Sequence, residues 1–231
     1  MRPLYVETLI RTDPESLWRA SQDPRRHERW DARFTRIDQL DAGTFRYATR
    51  VLPGVVVTGL GVTAGERHRP DGCGTSALRF GSDDPRSLIR SGSGYWRYVP
   101  GPSGIRFLTG YDYEVRWGRL GRVADVLFRP FFGWATAWSF DRLRLWLERG
   151  EPPERARWYA IAEAAGRGAL VAVAASSAPG WLVVFALALA VGLPPGPRTP
   201  AARRCRRRSR DIRPPAILSR LESAPPQVVP H

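Results

Sequence analysis

The residue types that most often perform chemistry are few and far apart in this chain. The three histidines and two cysteines are His27, His68, His231, Cys73 and Cys205. No pair of them has the spacing of metal ligands, so the sequence predicts no metal centre and no cofactor. All 36 basic residues are arginine, which excludes mechanisms that need a reactive lysine, such as Schiff-base formation.

One carboxylate has a position that suits acid–base chemistry. Asp141 lies near an apolar stripe of a predicted helix, between Trp138 and Leu145, where burial disfavours the charged form unless a cation pairs with it. Asp141 is therefore the weak catalytic candidate, as a general base or as a polar anchor for a ligand. In the alternative, which the abundance of arginine favours, Asp141 is the structural partner of Arg142, Arg144 or a strand arginine.

The elements that would position these residues begin with a strand over residues 4–10, which alternates with a period of two. Asp13-Pro14 and Asp23-Pro24 then each provide a cap and a first-turn proline for a short helix. Six more strands are predicted at residues 34–40, 44–52, 55–64, 75–80, 91–99 and 105–117, separated by turn sequences rich in glycine, proline and aspartate.

A long helix is predicted from Leu120 to Arg149. Its apolar stripe recurs at steps of three and four residues through Leu120, Val123, Leu127, Phe131, Trp134, Trp138 and Leu145. Pro130 lacks a backbone donor, so we expect a kink or a helix restart near Arg129. The predicted fold is α+β: a helix-grip arrangement in which a curved antiparallel sheet of about seven strands surrounds this helix and encloses an apolar cavity.

Aromatic side chains of the last two strands and the long helix are the predicted wall of that cavity. Such rings supply apolar area, and a tyrosine hydroxyl can orient a polar end of a ligand. The predicted ligand-binding residues are Tyr95, Tyr98, Phe107, Thr109, Tyr111, Tyr113, Trp134 and Trp138. The alternative for each of them is ordinary packing in the core.

The C-terminal third has a different character. The 26 residues from 168 to 193 contain no charge, and at 1.5 Å per residue this length spans a bilayer core of about 30 Å. We predict either a transmembrane helix or a re-entrant hairpin that bends at Pro179-Gly180. A buried pair of soluble helices is the third alternative.

Charge separates the tail from the rest of the chain. The net charge is +14, and the last 64 residues hold 9 arginines against 2 acidic residues. The predicted organisation is a ligand-binding domain over residues 1–150, a linker or short helix over 151–167, the apolar segment, and a disordered Arg/Pro-rich tail over 194–231. The arginines from 198 to 213 would hold the tail on the cytoplasmic side, against anionic headgroups. Binding to nucleic acid is not expected, because the tail lacks interleaved aromatic residues.

The order of elements and several short phrases resemble the START-like superfamily, also called SRPBCC or Bet v 1-like, over residues 3–149. The phrases are Val6-Glu7-Thr8, Pro14-Glu15-Ser16-Leu17-Trp18, Asp23-Pro24, Trp30 and Ala137-Trp138-Ser139-Phe140-Asp141-Arg142-Leu143. This resemblance implies a cavity between sheet and helix. The superfamily includes lipid and hormone carriers, polyketide aromatases and cyclases, and coenzyme Q-binding proteins.

The alternation of residues 1–10 gives no export signal, so we expect a protein on the cytoplasmic face of a bacterial membrane. The function predicted is binding or presentation of a hydrophobic small molecule, such as a lipid, a quinone or a polyketide. The first alternative is an aromatase/cyclase-type enzyme in which Asp141 or a tyrosine moves a proton. The second is a non-enzymatic interaction module with a filled core.

Overall fold

A computed structural model describes residues 3–208. Seven strands form one antiparallel sheet: β1 (Leu4–Ile10), β2 (Arg36–Gln39), β3 (Thr44–Leu52), β4 (Val55–His68), β5 (Gly74–Gly81), β6 (Ile89–Gly101) and β7 (Gly104–Val115). The strand order is β1-β7-β6-β5-β4-β3-β2. Strands β2 to β7 therefore follow one another across the sheet, and β1 lies beside β7. The predicted sheet of about seven antiparallel strands is confirmed.

Within the described residues, five α-helices accompany the sheet: α1 (Pro14–Gln22), α2 (Pro24–Trp30), α3 (Gly118–Arg149), α4 (Pro153–Ser177) and α5 (Gly180–Gly192). The two predicted caps are present, since Asp13 Oδ1 accepts from the Ser16 amide at 2.7 Å and Asp23 Oδ1 from the Arg25 amide at 2.9 Å. Each cap satisfies an amide that the first helical turn leaves without a partner. These caps fix where the chain turns from β1 into the helical pair.

The second half of α3 packs on one face of the sheet, and this contact forms the core. The Phe140 ring stacks on Phe107 of β7 with centroids 4.6 Å apart, and Trp30 of α2 packs edge-on against Phe140. Val6, Leu17 and Leu143 belong to the same buried cluster. A sheet folded around a long C-terminal helix, closed at one end by a short helical pair, is the predicted helix-grip fold.

The first half of α3 differs from the prediction. The helix continues through Pro130 without a restart, and the side chains of the predicted apolar stripe from Leu120 to Trp134 point outward and are exposed. The inward face instead carries Asp125, which accepts a 2.6 Å hydrogen bond from the Tyr113 hydroxyl, and Phe132, which lies against Tyr111. Periodicity identified an apolar face correctly, but a different face of the helix, with Asp125, Phe128 and Phe132, lies against the sheet.

The uncharged run 168–193 is divided between two helices. The end of α4 carries its first part, Ala178 and Pro179 interrupt the helix, and α5 carries the rest. In the described part of the chain, no helix combines the length and the apolar character needed to cross a bilayer. This differs from the predicted transmembrane helix, and the interruption falls where the sequence predicts the bend of a hairpin.

The beginning of the tail also differs from the prediction of disorder over 194–231. Thr199 and Cys205 are buried, and Glu7 and Arg206 exchange two backbone hydrogen bonds of 2.8 Å along the outer edge of β1. An edge strand offers unpaired amides and carbonyls, and this segment satisfies two of them. Residues 209–231, the remainder of the predicted disordered tail, lie outside the described residues.

Candidate functional site

A small cavity of about 50 Å³ lies between the α1–α2 pair and the inner face of the sheet. Its apolar wall includes Ile37, Phe45, Leu78 and Trp96, and its polar wall includes Ser21, Gln22, His27, Thr63 and Ser76. Ligand pockets usually measure several hundred Å³, whereas a water molecule needs only about 10 to 15 Å³ of such space. In this conformation the cavity has room for a few water molecules but not for a lipid-sized ligand.

Paired glycines and aromatic rings shape the inner face of the sheet. Across the sheet, Phe45 pairs with Gly61, Tyr47 with Gly59, Phe80 with Gly92, and Tyr111 with Gly94. A Cβ atom at any of these four glycines would overlap the facing ring, so each ring lies flat on the sheet where a larger residue would hold it upright. The result is an aromatic floor, which stays half-buried at Phe45, Tyr47 and Phe80.

A polar cluster closes the cavity toward α1. The Tyr98 hydroxyl lies 2.7 Å from Ser21 Oγ and accepts from Gln22 Nε2 at 2.9 Å, while Ser76 Oγ donates to Gln22 Oε1 at 3.4 Å. Burial raises the pKa of Tyr98 well above its usual range, and the hydrogen bonds from Ser21 and Gln22 only partly offset it. Tyr98 therefore remains a neutral hydroxyl that holds α1 against β6.

A buried charge cluster lies behind the cavity. Asp31 is fully buried, and its carboxylate accepts hydrogen bonds from Arg33 Nε at 2.9 Å and Arg33 Nη2 at 2.6 Å. His27 Nε2 lies 3.0 Å from the same carboxylate. Burial alone would raise the pKa of Asp31, but the charge and hydrogen bonds of Arg33 and the hydrogen bond of His27 outweigh it and hold that pKa far below its usual range. Arg33 Nη2 also donates to the Tyr111 hydroxyl at 3.3 Å.

This cluster gives the cavity its best placed titratable side chain. His27 lines the cavity and is oriented from behind by Asp31, the arrangement by which a carboxylate fixes an imidazole for proton transfer. Between residues 3 and 208, no group of three or more His, Cys, Asp or Glu side chains is arranged to hold a metal ion.

The predicted ligand-binding residues lie beside the cavity rather than in its wall. Tyr98, Phe107 and Tyr111 belong to the buried core, and Thr109 is fully buried with its hydroxyl donating to the Tyr95 carbonyl at 2.9 Å. Tyr113 is held under α3 by its hydrogen bond to Asp125. These positions agree with the core-packing alternative, and their role in binding stays a prediction.

Three aromatic residues of the predicted wall have other surroundings. Tyr95 lies on the outer face of the sheet, because its neighbours Gly94 and Trp96 occupy the inner face. Trp134 is on the outward face of α3, between Phe131 at 6.0 Å and Trp138 at 6.4 Å. Trp138 is partly buried below the Arg142 guanidinium, at 4.9 Å. Strand alternation excludes Tyr95 from the cavity, and the rotation of α3 excludes Trp134.

Asp141 does not face the cavity. Its buried carboxylate receives Arg144 Nε at 2.7 Å, the Ala201 amide at 2.8 Å and Arg204 Nη1 at 2.9 Å. Arg144 belongs to α3 itself, and Ala201 and Arg204 attach the C-terminal segment to α3. This agrees with the alternative in which Asp141 is a structural partner of arginine. Sequence reasoning missed the cavity residues on β3 to β5; the signal available for them was glycine at alternate positions, 59 and 61 and again 92 and 94.

Comparison with known proteins gives one relative of appreciable sequence similarity. It is described as the uncharacterized membrane protein YndG of Bacillus subtilis (strain 168), and it is 47% identical over 161 residues, which cover 67% of this chain and 60% of the relative. The chain thus spans less than two thirds of that relative's length. No family model matches the chain.

Solved structures with low sequence identity share part of the architecture. The Zhui aromatase/cyclase of Streptomyces sp. R1128 has a TM-score of 0.44 at 14% identity, covering 62% of this chain and 96% of its own. Ara h 8.0201 has a TM-score of 0.41 at 8% identity, covering 60% and 97%. A Chromobacterium violaceum protein has a TM-score of 0.46 at 15% identity, covering 64% and 97%. The helix-grip fold is established by this chain's own strand order and by α3 packed on the sheet.

Proposed function

We propose that this protein binds a hydrophobic small molecule between α1–α2 and the aromatic floor, and that the hairpin of α4 and α5 attaches it to a membrane. The observation that carries the proposal is the half-buried apolar surface of Phe45, Leu78 and Phe80, which continues from the cavity along β3 to β5. Covering apolar area of this kind with a ligand lowers the free energy by about 25 cal/mol per Å².

A lipid-sized ligand requires α1 and α2 to move away from the floor. The polar cluster that holds α1 has one weak member, the 3.4 Å contact between Ser76 and Gln22, which is at the limit of a useful hydrogen bond. A ligand hydroxyl can donate to Gln22 Oε1 in place of Ser76 and so leave Gln22 satisfied. Such a ligand is therefore apolar with one polar end.

Membrane attachment is supported by the α4–α5 hairpin. Beyond Arg167 it presents exposed apolar side chains and no charge, among them Val173, Trp181, Val184 and Phe185. At 13 residues, α5 is about 20 Å long, which suits entry into one leaflet of a hydrocarbon core about 30 Å thick. At the bend, the Ala178 amide donates to the Ala174 carbonyl, the Leu182 amide donates to the Pro179 carbonyl at 2.9 Å, and Pro179 has no amide hydrogen, so the bend exposes fewer unpaired donors to lipid than an open loop would.

Charged residues close the base of the hairpin. Arg167 donates to the carbonyls of Ala190 at 2.6 Å and Leu193 at 3.0 Å, and Glu163 accepts from the Gly196 amide at 3.0 Å. These contacts hold the two ends of the hairpin together where its uncharged part begins and ends. Both chain segments at the base return to the same domain, as a re-entrant hairpin requires.

Two alternatives retain support from particular observations. The filled core around Trp96, Phe107 and Phe140 favours a non-enzymatic interaction module. The His27–Asp31 pair beside the cavity favours a proton-transfer enzyme of the aromatase/cyclase type, with His27 rather than Asp141 as the base. Detection of a bound ligand separates the first alternative from the proposal, and His27→Gln, which would abolish turnover without abolishing binding, separates the second.

Thr63→Trp is expected to weaken binding of a dansylated fatty acid by about tenfold or more, because the indole overpacks the cavity at a cost of about 1 to 3 kcal/mol. Thr63 lines the cavity, whereas Thr58 lies on the same strand, exposed on the opposite face. Thr58→Trp is therefore the matched control and should bind as the natural protein does. Fluorescence titration of the full chain measures both. Equal affinities in the two variants would contradict a ligand site at the cavity.

A further inference from the structure

We propose that the outward face of the first half of α3, together with an arginine-lined groove beside it, binds the surface of an anionic phospholipid bilayer. This contact is separate from the α4–α5 hairpin, although it rests on the proposed membrane location of the protein. We call this face the α3 outer stripe. Its members are Leu120, Val123, Leu127, Phe131 and Trp134, which are between 45% and 80% exposed.

The α3 outer stripe is the uncovered part of a longer apolar face. Further along the same helix, the C-terminal segment covers the helix surface, with Cys205 Sγ donating to the Ala137 carbonyl at 3.2 Å and Ala201 and Arg204 bound to Asp141. These hydrogen bonds, at Ala137 and Asp141, lie in the second half of α3. Contiguous exposed apolar residues with aromatic members mark an interaction surface on a soluble domain.

Charge identifies the occupant as an anionic lipid surface. Arg119 and Arg122 are exposed within the stripe segment, and its acidic residue, Asp125, is 2% exposed and bound by Tyr113 and Arg129. The outward surface therefore combines apolar and aromatic residues with arginine and presents no carboxylate of its own segment. Helices of this composition lie in the interface of anionic membranes, with arginines among the headgroups.

A groove of about 630 Å³ runs beside the stripe and suits a lipid headgroup. One wall is formed by residues of α3, which are Asp125, Val126, Arg129, Pro130 and Gly133, and residues 3–5, Arg207 and Arg208 line the others. The Asp125 carboxylate in this wall is bound by Tyr113 and Arg129. Pro130 has no amide hydrogen, so the carbonyl of Val126 lacks its helical donor. A glycerol hydroxyl can supply that donor while the phosphate contacts the arginines. The chemical class is thus an anionic phospholipid with a free hydroxyl, such as phosphatidylglycerol.

The experiment uses the full chain with Cys73→Ser and a single added cysteine that carries an environment-sensitive fluorophore. The label is placed at Leu127→Cys, at Val184→Cys in the hairpin, or at Thr58→Cys on the exposed face of β4. Vesicles are phosphatidylcholine with or without phosphatidylglycerol. We expect a blue shift at positions 127 and 184 with phosphatidylglycerol vesicles, and none at position 58.

The outcomes separate the two membrane contacts. A shift at 184 without a shift at 127 would overturn the α3 contact and leave the hairpin attachment intact, whereas no shift at either position would refute both. A shift at 127 that occurs without vesicles and depends on protein concentration would show that a second copy covers the stripe, which also overturns the inference.

Charge variants test the groove independently of the stripe. Arg207→Gln with Arg208→Gln is expected to weaken binding to phosphatidylglycerol vesicles by about tenfold and to leave binding to phosphatidylcholine vesicles unchanged. Arg50→Gln with Arg90→Gln, at two exposed sheet positions, is the matched control. Equal losses in both pairs would mean that net charge alone attracts the protein, and the groove would then have no part in binding.

Discussion

Asp31→Asn is expected to lower the free energy of unfolding by about 3 to 5 kcal/mol, the usual cost of removing one partner from a buried ion pair. Asp31 is fully buried and Arg33 nearly so, so the substitution leaves a buried guanidinium without its counter-charge. Because the folded-state pKa of Asp31 is depressed, its stabilisation is present above the unfolded value of about 4 and is lost as the pH falls below it. Chemical denaturation at several pH values measures both effects.

The chain contains a matched control for this substitution. Asp84 and Arg86 have the same spacing and the same paired contacts, at 3.0 Å and 2.8 Å, but the Arg86 side chain is 60% exposed. Asp84 itself is 10% exposed, but its partner Arg86 is solvated, so Asp84→Asn should lower the free energy of unfolding by about 1 kcal/mol or less, well below the loss expected for Asp31→Asn. Similar losses in the two variants would show that burial of Asp31 is not the source of the effect.

Phe185→Asp is expected to reduce partitioning of the full chain into phosphatidylglycerol vesicles by about 100-fold, since placing an aspartate in the hydrocarbon core costs about 3 kcal/mol. Phe185 lies in the uncharged part of the hairpin and is 57% exposed, so the folded domain tolerates the change. Vesicle flotation measures the partitioning.

Leu52→Asp is the control for the hairpin variant. Leu52 ends β3, is 64% exposed and lies far along the chain from α4 and α5. The substitution Leu52→Asp adds the same charge at a position of comparable exposure. We expect unchanged partitioning for Leu52→Asp; if Phe185→Asp also floats normally, the hairpin does not enter the membrane.

The strands and short helices could be predicted from the sequence because their signals are local. Asp13-Pro14 and Asp23-Pro24 cap the helices that they precede, and turn residues separate the strands. The cavity could not be located in this way. Gly59 and Gly61 are visible in the sequence, but that Tyr47 and Phe45 lie over them follows from the register between β3 and β4, which a single sequence does not specify.

What covers α3, and where the beginning of the tail packs, also could not be predicted from local sequence patterns. The spacing of Leu127, Phe131 and Trp134 indicates an apolar face but does not show what covers it. The contact of Ala201 and Arg204 with Asp141 joins residues 60 and 63 positions apart. The Pro- and Arg-rich composition around Ala201 and Arg204 gives no sign that this segment packs on the domain. The groups that hold it, the β1 edge and the Asp141 carboxylate, are distant from it in the sequence.

Native mass spectrometry of the full chain, extracted from its own membranes in a mild detergent, tests the central claim most directly. The proposal predicts one apolar small molecule bound per chain, present in the natural protein and in Thr58→Trp and strongly depleted in Thr63→Trp. Folded protein that carries no such molecule, or the same molecule retained by Thr63→Trp, would contradict a hydrophobic ligand site between α1–α2 and the sheet.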